Sequence, residues 1–231
     1  MKQIKYFILF SLLISMYSCE LDNFDAPDAT IKGNFYDNET GKLIEQDIIN
    51  GTKIKYIELG WENPEIQQMV LKCDGTYQNK LMFSGNYDFY FEESNFVPPV
   101  RISEYAIKKG DNTLDFTVQP YIRITGSVIK KEGNYIVAKF TIAPSVLTNV
   151  ESIGLFAHSD YAVGNELKLA ESKIIINSLV SGSKSYTLQI DTTSGDGAKL
   201  EKGKTYYFRV GARINIAGAK YNYAPSLQIT I

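Results

Sequence analysis

The 231-residue chain is poor in the residues that build most active centres. It holds one His, two Cys, one Trp and only four Arg, at Arg101, Arg123, Arg209 and Arg213. One His and two Cys exclude a multi-histidine metal centre and a closed four-ligand Cys/His zinc site. The 24 basic residues stand against 26 acidic ones, a net charge of −2. Nucleic-acid binding needs basic residues clustered on phosphates, so no nucleic-acid partner is expected. No run approaches the roughly 20 apolar residues of a membrane-spanning helix. What is present is an ordinary globular composition, 44% hydrophobic and 22% charged, rich in Tyr (16) and Phe (12). That length suits one or two domains.

The first nineteen residues read as an address. Lys2 and Lys5 precede an apolar run, Tyr6 to Met16. The run is too short to cross a bilayer but suits the core of a signal peptide. Ser18-Cys19 follows directly. A small residue before a Cys at this place resembles a bacterial lipoprotein signal, which implies cleavage before Cys19 and lipid on its sulfur. Residues 1–18 are then the signal peptide, and the membrane is a partner only through the lipid. The mature chain keeps one thiol, Cys73, so no internal disulfide is possible. Residues 19–29 read as a polar tether carrying Glu20, Asp22, Asp25 and Asp28. Acidic residues after a lipidated Cys resemble those of Bacteroidota lipoproteins exported to the cell surface.

From Thr30 onward there is no long helical periodicity. Short alternating runs share one face of a strand: Ile31/Gly33/Phe35, Ile54/Tyr56, Met69/Leu71/Cys73, Tyr87/Phe89/Phe91 and Leu114/Phe116/Val118. Turn signals such as Asp74-Gly75 and Lys109-Gly110-Asp111-Asn112 separate them. A second set runs from Ile122/Ile124 through Ile136/Ala138/Phe140/Ile142 and Tyr206/Phe208/Val210/Ala212 to Leu227/Ile229/Ile231. The expected fold class is all-β: two consecutive antiparallel β-sandwich domains, 30–119 and 120–231, of about seven strands each. The boundary falls near Gln119-Pro120, since Pro cannot donate in a central strand. The domains are expected to meet nearly end to end.

Several motifs carry a resemblance. Gly33, Asp37-x-x-Thr40-Gly41, Asp74-Gly75-x-Tyr77 and Gly85-x-Tyr87 resemble the carboxypeptidase-regulatory-like (transthyretin-like) sandwich. Lys42-Leu43-Ile44 departs from it, because the Pro-Leu or Pro-Val pair usual after the turn is missing. Leu200-x-x-Gly203-x-x-Tyr206-x-Phe208-x-Val210-x-Ala212 resembles the fibronectin-III/immunoglobulin-like strand with its tyrosine corner. With the lipid Cys, the tether and Glu58-Leu59-Gly60-Trp61, the mature chain resembles a Bacteroidota lipoprotein family known as a domain of unknown function. Its members are encoded beside SusC/SusD-like glycan-uptake pairs. The resemblance implies SusC/SusD-like proteins and a polysaccharide or oligosaccharide as partners, at the outer-membrane surface.

Catalysis is not expected. Phe156-Ala157-His158-Ser159-Asp160 holds the residue types of a Ser/His/Asp triad, but a triad needs them converging from separate segments. Cys73 reads as a small buried hydrophobe. Glu92-Glu93 are neighbours on a strand and face opposite ways. Glu62 and Glu65 read as a solvated acidic loop. Asp191 and Asp196 lack the spacing of a calcium loop, so no metal or cofactor is expected. Capture of a sugar would instead use exposed aromatic rings that stack on a pyranose. The candidates are Trp61 first, then Phe96, Tyr161, Tyr221 and Tyr223. The alternative class is a structural or adhesive module such as a fimbrial subunit. Maturation of those proteins cuts after an Arg near the first strand, whereas the first Arg here is Arg101. Finally, Cys19–Gln119 carries 9 basic and 18 acidic residues, and Pro120–Ile231 carries 13 and 8. The small net charge hides an acidic half and a basic half, the latter suited to an anionic ligand or partner.

Overall fold

The computed structural model describes residues 25–231, so Cys19, Glu20 and Asp22 lie outside it. The first sandwich is built from β1 (Ala29–Asp37), β2 (Lys53–Glu58), β3 (Ile66–Val70), β4 (Thr76–Met82), β5 (Gly85–Tyr90), β6 (Phe96–Val97), β7 (Ile102–Ile107), β8 (Gly110–Thr113) and β9 (Phe116–Pro120). One sheet runs β4-β1-β9-β6, with β8 also on β1, and the other runs β3-β2-β5-β7. Period-two alternation explains the core. In β1, Ala29, Ile31 and Phe35 point inward. There they meet Tyr77, Phe91, Phe96 and Phe116 in a close aromatic cluster.

This domain corrects the expectation in three places. It has nine strands, and β8 and β9 both pair with β1 in parallel. Parallel pairing needs a long crossover connection, which the chain between β1 and β8 supplies, and alternation within a strand carries no sign of its direction. Asp28 is not a free tether acid. Its carboxylate accepts hydrogen bonds from the Ser84 amide (2.7 Å) and hydroxyl (2.9 Å), and these bonds hold its carboxyl below 3.8. Glu92 and Glu93 follow the end of β5 and are not on it.

The second sandwich contains β10 (Ile122–Glu132), β11 (Tyr135–Pro144), β12 (Val150–His158), β13 (Ala170–Ser178), β14 (Lys184–Asp191), β15 (Thr205–Ile214), β16 (Asn222–Tyr223) and β17 (Leu227–Thr230). A three-stranded sheet β10-β11-β14 faces β13-β12-β15-β16, and β17 continues the last strand along β15. That is the order of a fibronectin-III-like sandwich. The expected tyrosine corner forms: the Tyr206 hydroxyl accepts a hydrogen bond from the Glu201 amide at 3.0 Å. One strand inverts the simple pattern. Ser152, Ile153, Gly154, Leu155, Phe156 and Ala157 of β12 are all buried, on both faces. A sheet face turned away from its own core stays buried only if something else covers it.

Candidate functional site

What covers it is the first domain. Arg209 alternates with Phe208 and Val210 and therefore points away from the core of its sandwich. It is nevertheless 1% exposed. Its Nε donates to the Ala224 carbonyl at 2.9 Å and its Nη1 to the Gln46 carbonyl at 2.9 Å. Its Nη2 pairs with the Glu45 carboxylate. The guanidinium carbon stands 4.4 Å over the Tyr223 ring. Burial pushes the Glu45 carboxyl up, and the opposing pull of Arg209 is the smaller effect. Phe156, Tyr221 and Tyr223 form an aromatic layer on the same face. Gly211 leaves the space for it, since a Cβ there would lie 2.8 Å from the Tyr223 ring.

Polar groups complete the seam. The Asn95 side-chain amide donates to the Glu45 carbonyl (2.8 Å) and the Tyr221 carbonyl (3.2 Å), and the Asn95 backbone carbonyl accepts from the Asn222 side chain (2.7 Å). The Tyr223 hydroxyl donates to Asp47 at 3.0 Å and accepts from the Asn165 amide at 2.9 Å. Lys220 reaches across to Glu93 at 2.8 Å. The loops at one end of the first sandwich are thus seated on a sheet face of the second through a buried network, and the two do not meet end to end.

Beside this seam lies a cleft of about 610 Å³ between the two domains. Its first wall is the segment after the Asp37-x-x-Thr40-Gly41 turn, its second the start of β10 and the chain around Pro225. Asp37 organises that turn, accepting from the Glu39 amide (3.0 Å) and the Thr40 hydroxyl (3.0 Å). It also takes both prongs of Arg123, Nε at 2.8 Å and Nη2 at 2.7 Å, from the second domain. Burial pushes the Asp37 carboxyl up, but the bonds from Arg123, Glu39 and Thr40 together hold it below 3.8. The turn motif therefore doubles as an interdomain clamp. Sequence reasoning missed this cleft, although the departure at Lys42-Leu43 marks one wall of it.

The ring candidates divide. Trp61 sits in the loop between β2 and β3 and is 65% exposed, and Tyr161 is 60% exposed in the turn after β12. Phe96 is fully buried in the first core, stacked on Phe35 at 5.3 Å. It cannot present a face to a sugar. Tyr221 and Tyr223 are 6% and 7% exposed, because the first domain lies over the hairpin that carries them. These three are corrected from ligand-binding to structural positions.

The candidates for chemistry are spoken for. His158 Nδ1 accepts from the Asp160 amide at 3.0 Å, while the Asp160 carboxylate caps the Ala162 amide. The Cys73 thiol is buried, and burial pushes its pKa up. Asp191 accepts from Thr193 and Ser194 within its own turn, and Asp196 pairs with Lys199 at 2.6 Å. No group of three metal-ligating side chains occurs among the described residues.

The fold and seam define a class: a two-domain all-β protein in which the loops of a transthyretin-like sandwich pack on a sheet face of a fibronectin-III-like one. Residues 29–119 match the model of the N-terminal domain of a protein of unknown function (DUF3823), and residues 122–228 match the domain DUF3823_C. The chain belongs to the DUF3823 family. It is 36% identical to a candidate carbohydrate-binding protein from Bacteroides uniformis, with a TM-score of 0.80, covering 89% of this chain and 100% of that one. A DUF3823 protein from Parabacteroides merdae has the same fold at 21% identity and a TM-score of 0.72, again covering 89% and 100%. No curated protein matches.

Proposed function

We propose that this protein is a non-catalytic, lipid-anchored component of an outer-membrane glycan-uptake system, and that it captures oligosaccharide at the cell surface beside SusC/SusD-like proteins. The observation that carries the reading is Trp61, the chain's one Trp and the most exposed large ring of the described residues. Leaving a Trp in water costs hydrophobic free energy, which stacking on the apolar face of a pyranose recovers. The Bacteroides uniformis relative supports the same ligand class. The mechanism is capture without bond making or breaking. Rigid sandwiches hold the ring in place, and lipid on Cys19 keeps the domain near a transporter, so high local concentration offsets weak affinity.

Calorimetry of the mature protein against a panel of oligosaccharides tests this. Trp61→Ala should weaken binding about tenfold while changing stability by less than about 0.5 kcal/mol, as expected for an exposed loop position. Tyr161→Ala is the companion variant. A panel with no binder, together with copurification of a protein partner, refutes glycan capture. Cys19→Ala should release the protein from the membrane fraction.

A further inference from the structure

We propose that the interdomain cleft is a second glycan subsite, selective for acidic oligosaccharides, with Lys42 as the residue that recognises a uronate carboxylate. The proposal rests on the glycan-capture reading but places binding away from Trp61. The cleft volume, about 610 Å³, lies within the roughly 300–1,000 Å³ of small-ligand sites, which favour domain interfaces. It is pre-formed. The bidentate Asp37–Arg123 pair ties its walls together at one end, and the Arg209–Glu45 pair lies beneath it.

The lining separates into committed and uncommitted groups. Asp37, Arg123 and Glu45 each have a charged partner. Lys42 is exposed, and among the described residues no carboxylate lies within ion-pair reach of it. Beside it Leu43, 38% exposed, joins Ile124 and Pro225 as an apolar floor. Opposite, β10 carries a bulge: the register shifts between Thr125 and Val128, leaving Gly126 (φ +59°) and Ser127 without ladder partners. Bulges re-aim backbone groups and recur beside binding sites. The Thr125 and Ser127 hydroxyls, both exposed, make no hydrogen bond to the described residues. An apolar floor, a rim of free hydroxyl and peptide groups, and one uncommitted ammonium match a pyranose that carries a carboxylate. An apolar ligand would strip these polar groups of water without pairing them. A neutral sugar would leave the ammonium unused.

The experiment uses calorimetry with the mature two-domain protein. The probes are tetragalacturonate, tetramannuronate and the fully methyl-esterified tetragalacturonate, which keeps the ring but loses the charge. The variants are Lys42→Ala, Ser127→Trp to fill the cleft from the bulge, and Lys80→Ala as an exposed charge control on β4. At least one uronate should bind. The ester and Lys42→Ala should each weaken binding about fivefold, the upper range for an exposed ion pair. Ser127→Trp should weaken it further, Lys80→Ala should leave it unchanged, and added salt should weaken it. Uronate binding that ignores both Lys42→Ala and Ser127→Trp, or an ester that binds as well as the acid, overturns the cleft assignment. If neither uronate binds while a neutral glycan does so through Trp61, the cleft assignment falls and surface capture stands. If nothing in either panel binds, both fall.

Discussion

Arg209→Met removes every donor of the guanidinium while retaining most of the aliphatic stem. In the native protein this cation, 1% exposed, is satisfied by carbonyls of Ala224, Gln46 and Val163, by the Glu45 carboxylate and by the Tyr223 ring. Breaking one side of a buried ion pair costs about 3–5 kcal/mol, because the other charge stays buried without compensation. Two carbonyls at 2.9 Å lose charged donors as well, so the expected loss is near the top of that range, about 4–5 kcal/mol. That is a large part of the roughly 5–15 kcal/mol that stabilises a domain. Because Arg209 bridges both sandwiches, wild type should unfold in one guanidinium transition and Arg209→Met in two. The double variant Arg209→Met/Glu45→Gln carries no unpaired charge and should recover at least about 2 kcal/mol relative to additivity. The pH dependence has a definite sign. Burial raises the Glu45 carboxyl above its ordinary 4.5. The Glu45 contribution to stability is therefore full below 4.5 and is lost as pH rises through the raised value. The Arg209→Met penalty should be smallest in acid, where Glu45 is protonated, and should grow toward neutral pH. A loss under about 1 kcal/mol, or strict additivity with Glu45→Gln, refutes the seam as the joint of the two domains.

Tyr206→Phe deletes the hydroxyl that accepts from the Glu201 amide. It should cost about 1 kcal/mol and lower the melting temperature by about 2–4 °C, read by circular dichroism. Asp37→Asn should cost about 2 kcal/mol at pH 7 by weakening its charge-assisted bonds to Arg123. The Asp37 carboxyl is held below 3.8. Its contribution is present above 3.8 and is lost as pH falls through the lowered value, so melting of Asp37→Asn from pH 7 to 2.5 should fall less steeply than wild type. An equal slope argues against the clamp.

Much of the fold was legible because a strand's alternation is local. Tyr206/Phe208/Val210/Ala212 and Ile136/Ala138/Phe140/Ile142 point where their period places them. The tyrosine corner was legible too, since its two ends lie five residues apart. The same alternation correctly aimed Arg209 away from its own core. It carried no information that another domain covers that face, because the partners Glu45 and Gln46 lie over 160 residues away. Tyr221 and Tyr223 were misread for the same reason, since a hairpin at an interface is as buried as a core; Phe96 was misread because the turn residues around it hide a short strand whose ring enters the first core. Trp61 is exposed as expected, in the connection between β2 and β3, where its neighbours Gly60, Glu62, Asn63 and Pro64 are exposed too.

The sequence by itself determined the two sandwiches and their common boundary near Pro120, because hydrophobic period and turn chemistry act over a few residues. Only the tertiary structure decided that the end loops of the first sandwich seat on the second at Arg209, that Asp37 is a clamp as well as a turn, and that Lys42 and Ser127 line one cleft. These depend on which distant faces meet. That is settled by total burial and by satisfying every buried donor and acceptor, which no local pattern encodes.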